Sequence, residues 1–117
     1  MNAADRRRLL HVLDAVSRTH RYCRTGRSSL DDDKTRDAVL RCLTVIGEAL
    51  GALSNETYRR LPSLPPHLPK GQRNVLVHEY WRIDLDIIWS TIERDLPPLE
   101  TDIQALLGDR STKDSSG

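Results

Sequence analysis

The sequence predicts an all-α fold, a bundle of four main helices with short additional helices. Apolar residues recur at intervals of three and four along most of the chain, the mark of amphipathic helices. No stretch alternates apolar and polar residues as a half-buried strand does, and no internal repeat is visible. Helix-breaking residues gather between the periodic segments.

The first helix is expected over residues 4–23. Leu9, Leu10, Leu13, Ala15 and Val16 supply its apolar face, and Arg6, Arg7, Arg8, Asp14 and Arg18 much of the remainder. Thr25-Gly26-Arg27-Ser28-Ser29 breaks it. A second helix opens at Leu30-Asp31-Asp32-Asp33, where acids suit the cap and the positive end of the helix dipole. It continues through Ala38, Val39, Leu43, Ile46, Ala49, Leu50 and Leu53 to an end at Ser54 and Asn55. Gly47, Ala49, Gly51 and Ala52 form a small-residue patch that permits a second helix to approach closely. Residues 55–61 read as a short extra helix.

Residues 62–71 hold four prolines and Gly71 and cannot continue a helix. They form a stiff connection to a third main helix over residues 72–81. Asp84 is placed to cap a fourth, over residues 85–95, with Leu85, Ile88, Trp89 and Ile92 on one side. Pro97 and Pro98 are expected to stop it and to start a last helix through Ile103, Leu106 and Leu107, ending at Gly108. The expected organisation is one helical domain over residues 1–108 and a flexible polar tail over 109–117.

Composition bounds the function. A chain of 117 residues buries one core, not two. No apolar run approaches the ~18 residues of a membrane span, and the basic start lacks the apolar stretch of a secretion signal. Cys23 and Cys42 form neither a disulfide framework nor a zinc pattern and read as reduced, buried thiols. A cytoplasmic, membrane-free protein is expected. Fifteen of the 18 basic residues are arginine, whose fork suits phosphate. A net charge of +1 argues against a broad DNA-coating surface.

The chemistry concentrates in Arg73-Asn74-Val75-Leu76-Val77-His78-Glu79-Tyr80. Arginine binds phosphate as a charged fork. Histidine moves a proton near neutral pH. Asparagine holds an imidazole or a substrate by hydrogen bonds. At about 100° per residue, Asn74 and His78 lie ~40° apart on a helix, whereas Arg73 and His78 lie ~140° apart. Arg73 must reach round from the helix start, or a second subunit must complete the site.

Other groups read as structural. Asp31, Asp32 and Asp33 fit capping better than a metal site. Asp84 and Asp86 do not share a helical face. His11, His20 and His67 lack metal-ligand spacing. Trp81 and Trp89 suit packing in the core or a dimer interface better than base stacking. Arg59, Arg60, Lys70 and Arg82 flank the octad and are candidates for guiding a nucleic-acid backbone.

The octad resembles the Arg-X4-His-X-Tyr signature of the HepT toxins in the HEPN superfamily. Ile46-Gly47-Glu48-Ala49-Leu50, Gly71-Gln72-Arg73-Asn74, residues 78–84 and Ile87-Ile88-Trp89-Ser90-Thr91-Ile92 with Asp95-Leu96-Pro97-Pro98-Leu99 also resemble the family's pattern. The likeness covers about residues 5–108. Two features depart from it: the proline-rich stretch lacks a tryptophan often found there, and Gln72 replaces a residue that is often hydrophobic.

The resemblance implies a HEPN-type bundle and a toxin that cuts single-stranded RNA without a metal or other cofactor. It implies His78 as general base or acid, Arg73 as stabiliser of the phosphorane, and Asn74 orienting His78 or the phosphate, at a homodimer interface. It further implies that Tyr80 is adenylylated by a partner antitoxin, a minimal nucleotidyltransferase of the MNT type. The competing expectation is a non-enzymatic HEPN adaptor that binds a nucleotidyltransferase or a nucleotide.

Overall fold

The computed structural model describes residues 1–64 and 85–116, with side chains described as far as Gly108. Every regular element among these residues is helical, so the chain is all-α as the periodicity predicts. In chain order the elements are α1 (Ala3–Tyr22), a 3-10 segment (Gly26–Asp31), α2 (Asp33–Gly51), α3 (Asn55–Tyr58), α4 (Leu85–Ser90), a π-helical turn (Thr91–Asp95) and α5 (Leu96–Ser116).

Asn2 starts α1. Its side-chain oxygen accepts the Asp5 amide proton at 2.7 Å, satisfying one orphan donor of the first turn. The face that packs inward is Leu9, Val12, Ala15, Val16 and Thr19. Leu10, counted with the core by its apolar character, points outward and is 45% exposed. Val12 takes the inward place, because 9, 12 and 16 follow the helical period and 10 does not.

Gly26 has φ +81°, a left-handed conformation in which a Cβ is strained. It turns the chain from α1 into the 3-10 segment, and Leu30 closes that segment by full burial. The Arg36 guanidinium donates to the Leu30 carbonyl at 2.9 Å, tying the turn to α2. Asp32 caps α2 as its sequence position predicts: it accepts the Thr35 amide and the Thr35 hydroxyl, both at 2.9 Å. The backbone bond from Thr35 is the main reason its carboxyl sits below the ordinary value of 3.8.

Helices α1 and α2 run antiparallel. Asp5 meets Ser54 at one end of the pair, and Thr19 meets Cys42 towards the other. Val39, Cys42, Leu43, Ile46 and Leu50 form the buried side of α2, which ends at Gly51, earlier than Ser54. Gly51 has open space where a Cβ would stand, so it does not serve a close helix contact. The short helix after it stops at Tyr58, before the expected Leu61.

The largest correction concerns Pro97 and Pro98. They do not stop a helix; the chain stays helical from Leu85 to Ser116. A proline inside an α-helix lacks a donor and its ring collides with the carbonyl four residues back. Here the turn before the prolines widens to π geometry, with the Leu96 amide donating to the Thr91 carbonyl five residues back. The carbonyls that the prolines would crowd thereby gain room. Gly108 does not stop α5 either, since glycine costs only about 1 kcal/mol in a helix interior and no proline follows it.

Leu96, Leu99, Ile103, Leu106 and Leu107 from α5 join Ile88 and Ile92 in one core with α1 and α2. Trp89 packs on that core half-buried, in keeping with a packing role. Cys23 and Cys42 are free, buried thiols. Burial pushes both thiols above their ordinary value, and Cys42 adds to the rise at Cys23.

Candidate active site

The octad at residues 73–80 lies outside the described residues, as do Lys70, Arg82, His67, Trp81 and Asp84. Arg73, Asn74, His78 and Tyr80 therefore stand on their sequence pattern. The structure describes the frame from which that segment departs and to which it returns.

The departing side is pinned by a polar hub that composition alone does not reveal. Asp5, 1% exposed, accepts from the Ser54 hydroxyl at 2.6 Å, the Ser54 amide at 3.1 Å and the Thr57 hydroxyl at 2.6 Å. Ser54 also caps α3 by accepting the Thr57 amide at 3.3 Å. Arg8 adds an ion pair at 3.6 Å. Burial alone raises the Asp5 carboxyl, but the bonds from Ser54 and Thr57 outweigh it, and the group sits below its ordinary value of 3.8. A carboxylate with this many donors remains charged in the interior at little net cost.

Beyond the hub, Leu61 is buried, and the Ser63 amide donates to the Asp102 carboxylate of α5 at 3.0 Å. The chain thus leaves α3 held against α5. Arg59 and Arg60, two of the four backbone-guiding candidates, are exposed at this exit. Arg60, Pro62, Asp102, Ala105 and Leu106 line an open cavity of about 340 Å³ there.

The returning side is held differently. Asp86, in the first turn of α4, pairs with Arg27 of the 3-10 segment, and both side chains are largely exposed. Two residues on, Ile88 is fully buried. Asp86 is therefore a surface partner of Arg27, as its spacing from Asp84 suggested for a surface acid. The sequence signal for Asp102 and Asp86 was faint, because their partners are 39 and 59 residues away.

The remaining candidates take structural places. Asp32 caps α2. His11 is exposed, and His20 lies 3.9 Å from Glu100 on the surface. Among the described residues, no three His, Cys, Asp or Glu side chains converge as a metal site, and no helix is long and apolar enough to cross a membrane.

Known proteins place this frame in a family. The family described as "Ribonuclease HepT-like" matches residues 12–106, which takes in most of α1, all of α2, the residues on either side of the octad and the octad itself. A Thermococcus cleftensis protein named "Probable ribonuclease HepT" is 35% identical over 77 residues, covering 66% of this chain and 70% of its own length. A Methanocaldococcus jannaschii protein named as a candidate RNase is 31% identical over 75 residues, 64% of this chain and 69% of its own. A Caldanaerobacter subterraneus protein named in the same way is 35% identical over 81 residues, 65% of this chain and 72% of its own. No solved structure matches the chain. With the family pattern spanning most of an all-α bundle and containing the octad, the chain belongs to the HepT-like ribonuclease family of the HEPN superfamily.

Proposed function

We propose that the protein is a metal-independent endoribonuclease toxin that cleaves single-stranded RNA at a site built from Arg73, Asn74 and His78. The observation that carries this reading is the intact Arg-X4-His pattern inside the span matched by the ribonuclease family. An adaptor has no need of all three polar groups.

In the proposed reaction a ribose 2′-hydroxyl attacks the adjacent phosphorus. The bond from phosphorus to the 5′-oxygen breaks, leaving a 2′,3′-cyclic phosphate and a 5′-hydroxyl. His78 takes the proton from the nucleophile or gives one to the leaving oxygen, near neutral pH. Arg73 stabilises the charge on the phosphorane, and Asn74 orients His78 or the phosphate. The ~140° between Arg73 and His78 on one helix favours a two-fold homodimer, in which each copy supplies a group the other lacks.

Tyr80 is the proposed target of an MNT-type antitoxin that transfers AMP from ATP to the phenol oxygen and releases pyrophosphate. The added phosphate brings negative charge and bulk beside the RNA path and blocks it by repulsion and occlusion. Lys70, Arg82, Arg59 and Arg60 guide the RNA backbone.

The test is RNA cleavage by the chain purified without antitoxin, in EDTA, beside His78→Ala. Intact mass first establishes that Tyr80 is unmodified. Cleavage that persists in EDTA and vanishes in His78→Ala is expected. Equal cleavage by both proteins, or none by either, overturns the reading and turns attention to the adaptor.

A further inference from the structure

On α1, Arg7, His11, Asp14, Arg18 and Arg21 follow one another at steps of four, three, four and three residues, and all five are exposed to solvent. That spacing puts them on one face of the helix, over about 21 Å from Arg7 to Arg21. The face borders the groove between α1 and α2. There His11 and Arg18 stand across from Arg41 of α2 around a cavity of about 260 Å³, floored by the buried Ala15 and Cys42.

Basic groups outnumber acids around this groove, with Arg18, Arg41 and His11 beside Asp14. Asp14 is the acid of the stripe, and the Arg18 Nε holds it at 3.0 Å. A guanidinium has five N–H donors, so this bond leaves most of the Arg18 fork for another acceptor. Arg41 makes no hydrogen bond or ion pair with any described residue. At the floor, burial raises the Cys42 thiol most; the Thr19 hydrogen bond, Arg18 and Arg21 favour its thiolate, and Asp14 opposes them. Tyr22, 38% exposed, follows Arg21 at the end of the stripe.

We infer that this groove is an accessory track for the phosphodiester backbone of single-stranded RNA, apart from the octad. The inference rests on the ribonuclease reading for its ligand. A single small anion needs donors converging on one point. Cations spread along a helix face instead match a chain of repeating phosphates, and an exposed aromatic ring at the end offers a base a stacking surface. Arg18 and Arg41 clasp one phosphate across the groove, His11 and Arg7 continue the track, and Tyr22 stacks a base. The local stripe performs this although the net charge is only +1.

The experiment uses the full chain carrying His78→Ala, so that RNA is bound without turnover. Binding of a labelled single strand of about twelve nucleotides is followed by fluorescence anisotropy across a salt series. Arg18→Ala with Arg41→Ala is expected to raise Kd by roughly tenfold. It is also expected to lower the slope of log affinity against log salt by about 0.7 for each phosphate that is no longer neutralised. Arg41→Lys, which keeps the charge, is expected to recover part of the affinity, and a melting curve checks that the surface variants remain folded. An unchanged Kd and slope overturns the track, as does failure of the parent to bind RNA. Cleavage that still depends on His78 in the native chain, with no groove effect on binding, refutes the track alone. A groove effect with no cleavage by the native chain refutes the ribonuclease reading alone.

Discussion

Two carboxylates join distant parts of this chain, and they do so in opposite surroundings. Asp5 ties the start of α1 to Ser54 and Thr57 from the interior, at 1% exposure, with donors on both oxygens. Asp86 ties the start of α4 to Arg27 across open water, its side chain 72% exposed. The formal charge is the same. Solvent decides what each is worth, because a buried group that loses its partners strands them without water, whereas an exposed pair exchanges one set of hydrogen bonds for another. The polar tie on the entering side of the octad is thus buried, and the one between Asp86 and Arg27 on the returning side is exposed.

The sharpest way to break this contrast is Asp5→Ala. It strands the Ser54 amide, the Ser54 hydroxyl and the Thr57 hydroxyl, and is expected to cost about 3 kcal/mol of stability. Urea unfolding checks it, as a fall in midpoint with the slope retained. Asp5 also gives the contrast a pH signature. Its carboxyl is depressed in the folded state, so its contribution is complete above the ordinary value of 3.8 and is lost as the pH falls through the lower folded value. Asp5→Asn removes that component: wild type and variant are expected to converge in stability as a titration proceeds into acid.

Ser54→Ala is expected to have a smaller effect, about 1–2 kcal/mol, because it removes the α3 cap and one donor to Asp5 but leaves the carboxylate its other partners. Thermal melts of the single variants and of Asp5→Ala with Ser54→Ala test the link. The two losses are expected to be less than additive, since both break the same hydrogen bond. Asp86→Ala is expected to have the least effect on stability, within the roughly 0–1 kcal/mol of exposed ion pairs, and that effect shrinks in high salt. A loss at Asp86 as large as that at Asp5 would contradict the contrast.

Much of the bundle was legible because helix period and capping chemistry are local. The acids Asp31, Asp32 and Asp33 mark the start of α2, and Leu9, Leu43, Ile46 and Leu50 mark inward faces without knowledge of their partners. Leu10 was misleading, since an apolar residue one step off the period faces water. Pro97 and Pro98 misled for a different reason: a π turn absorbs their steric demand, and nothing local distinguishes absorption from termination. The Asp5 hub was illegible because its donors come from 49 and 52 residues away. The Arg18 and Arg41 groove was illegible because it depends on which faces of α1 and α2 meet. The octad is the reverse case. Its candidate residues come from a compact sequence pattern and a family match, while their three-dimensional arrangement lies outside the described residues.

The central claim is that the octad directs a 2′-hydroxyl, through His78, at an RNA phosphate. The end groups of the RNA fragments test it most directly. Fragments made by the native chain in EDTA, with Tyr80 unmodified, are predicted to carry 2′,3′-cyclic phosphates and 5′-hydroxyls, and His78→Ala is predicted to yield no such ends. Fragments with 3′-hydroxyls and 5′-phosphates, or cyclic ends produced equally by His78→Ala, would contradict the account.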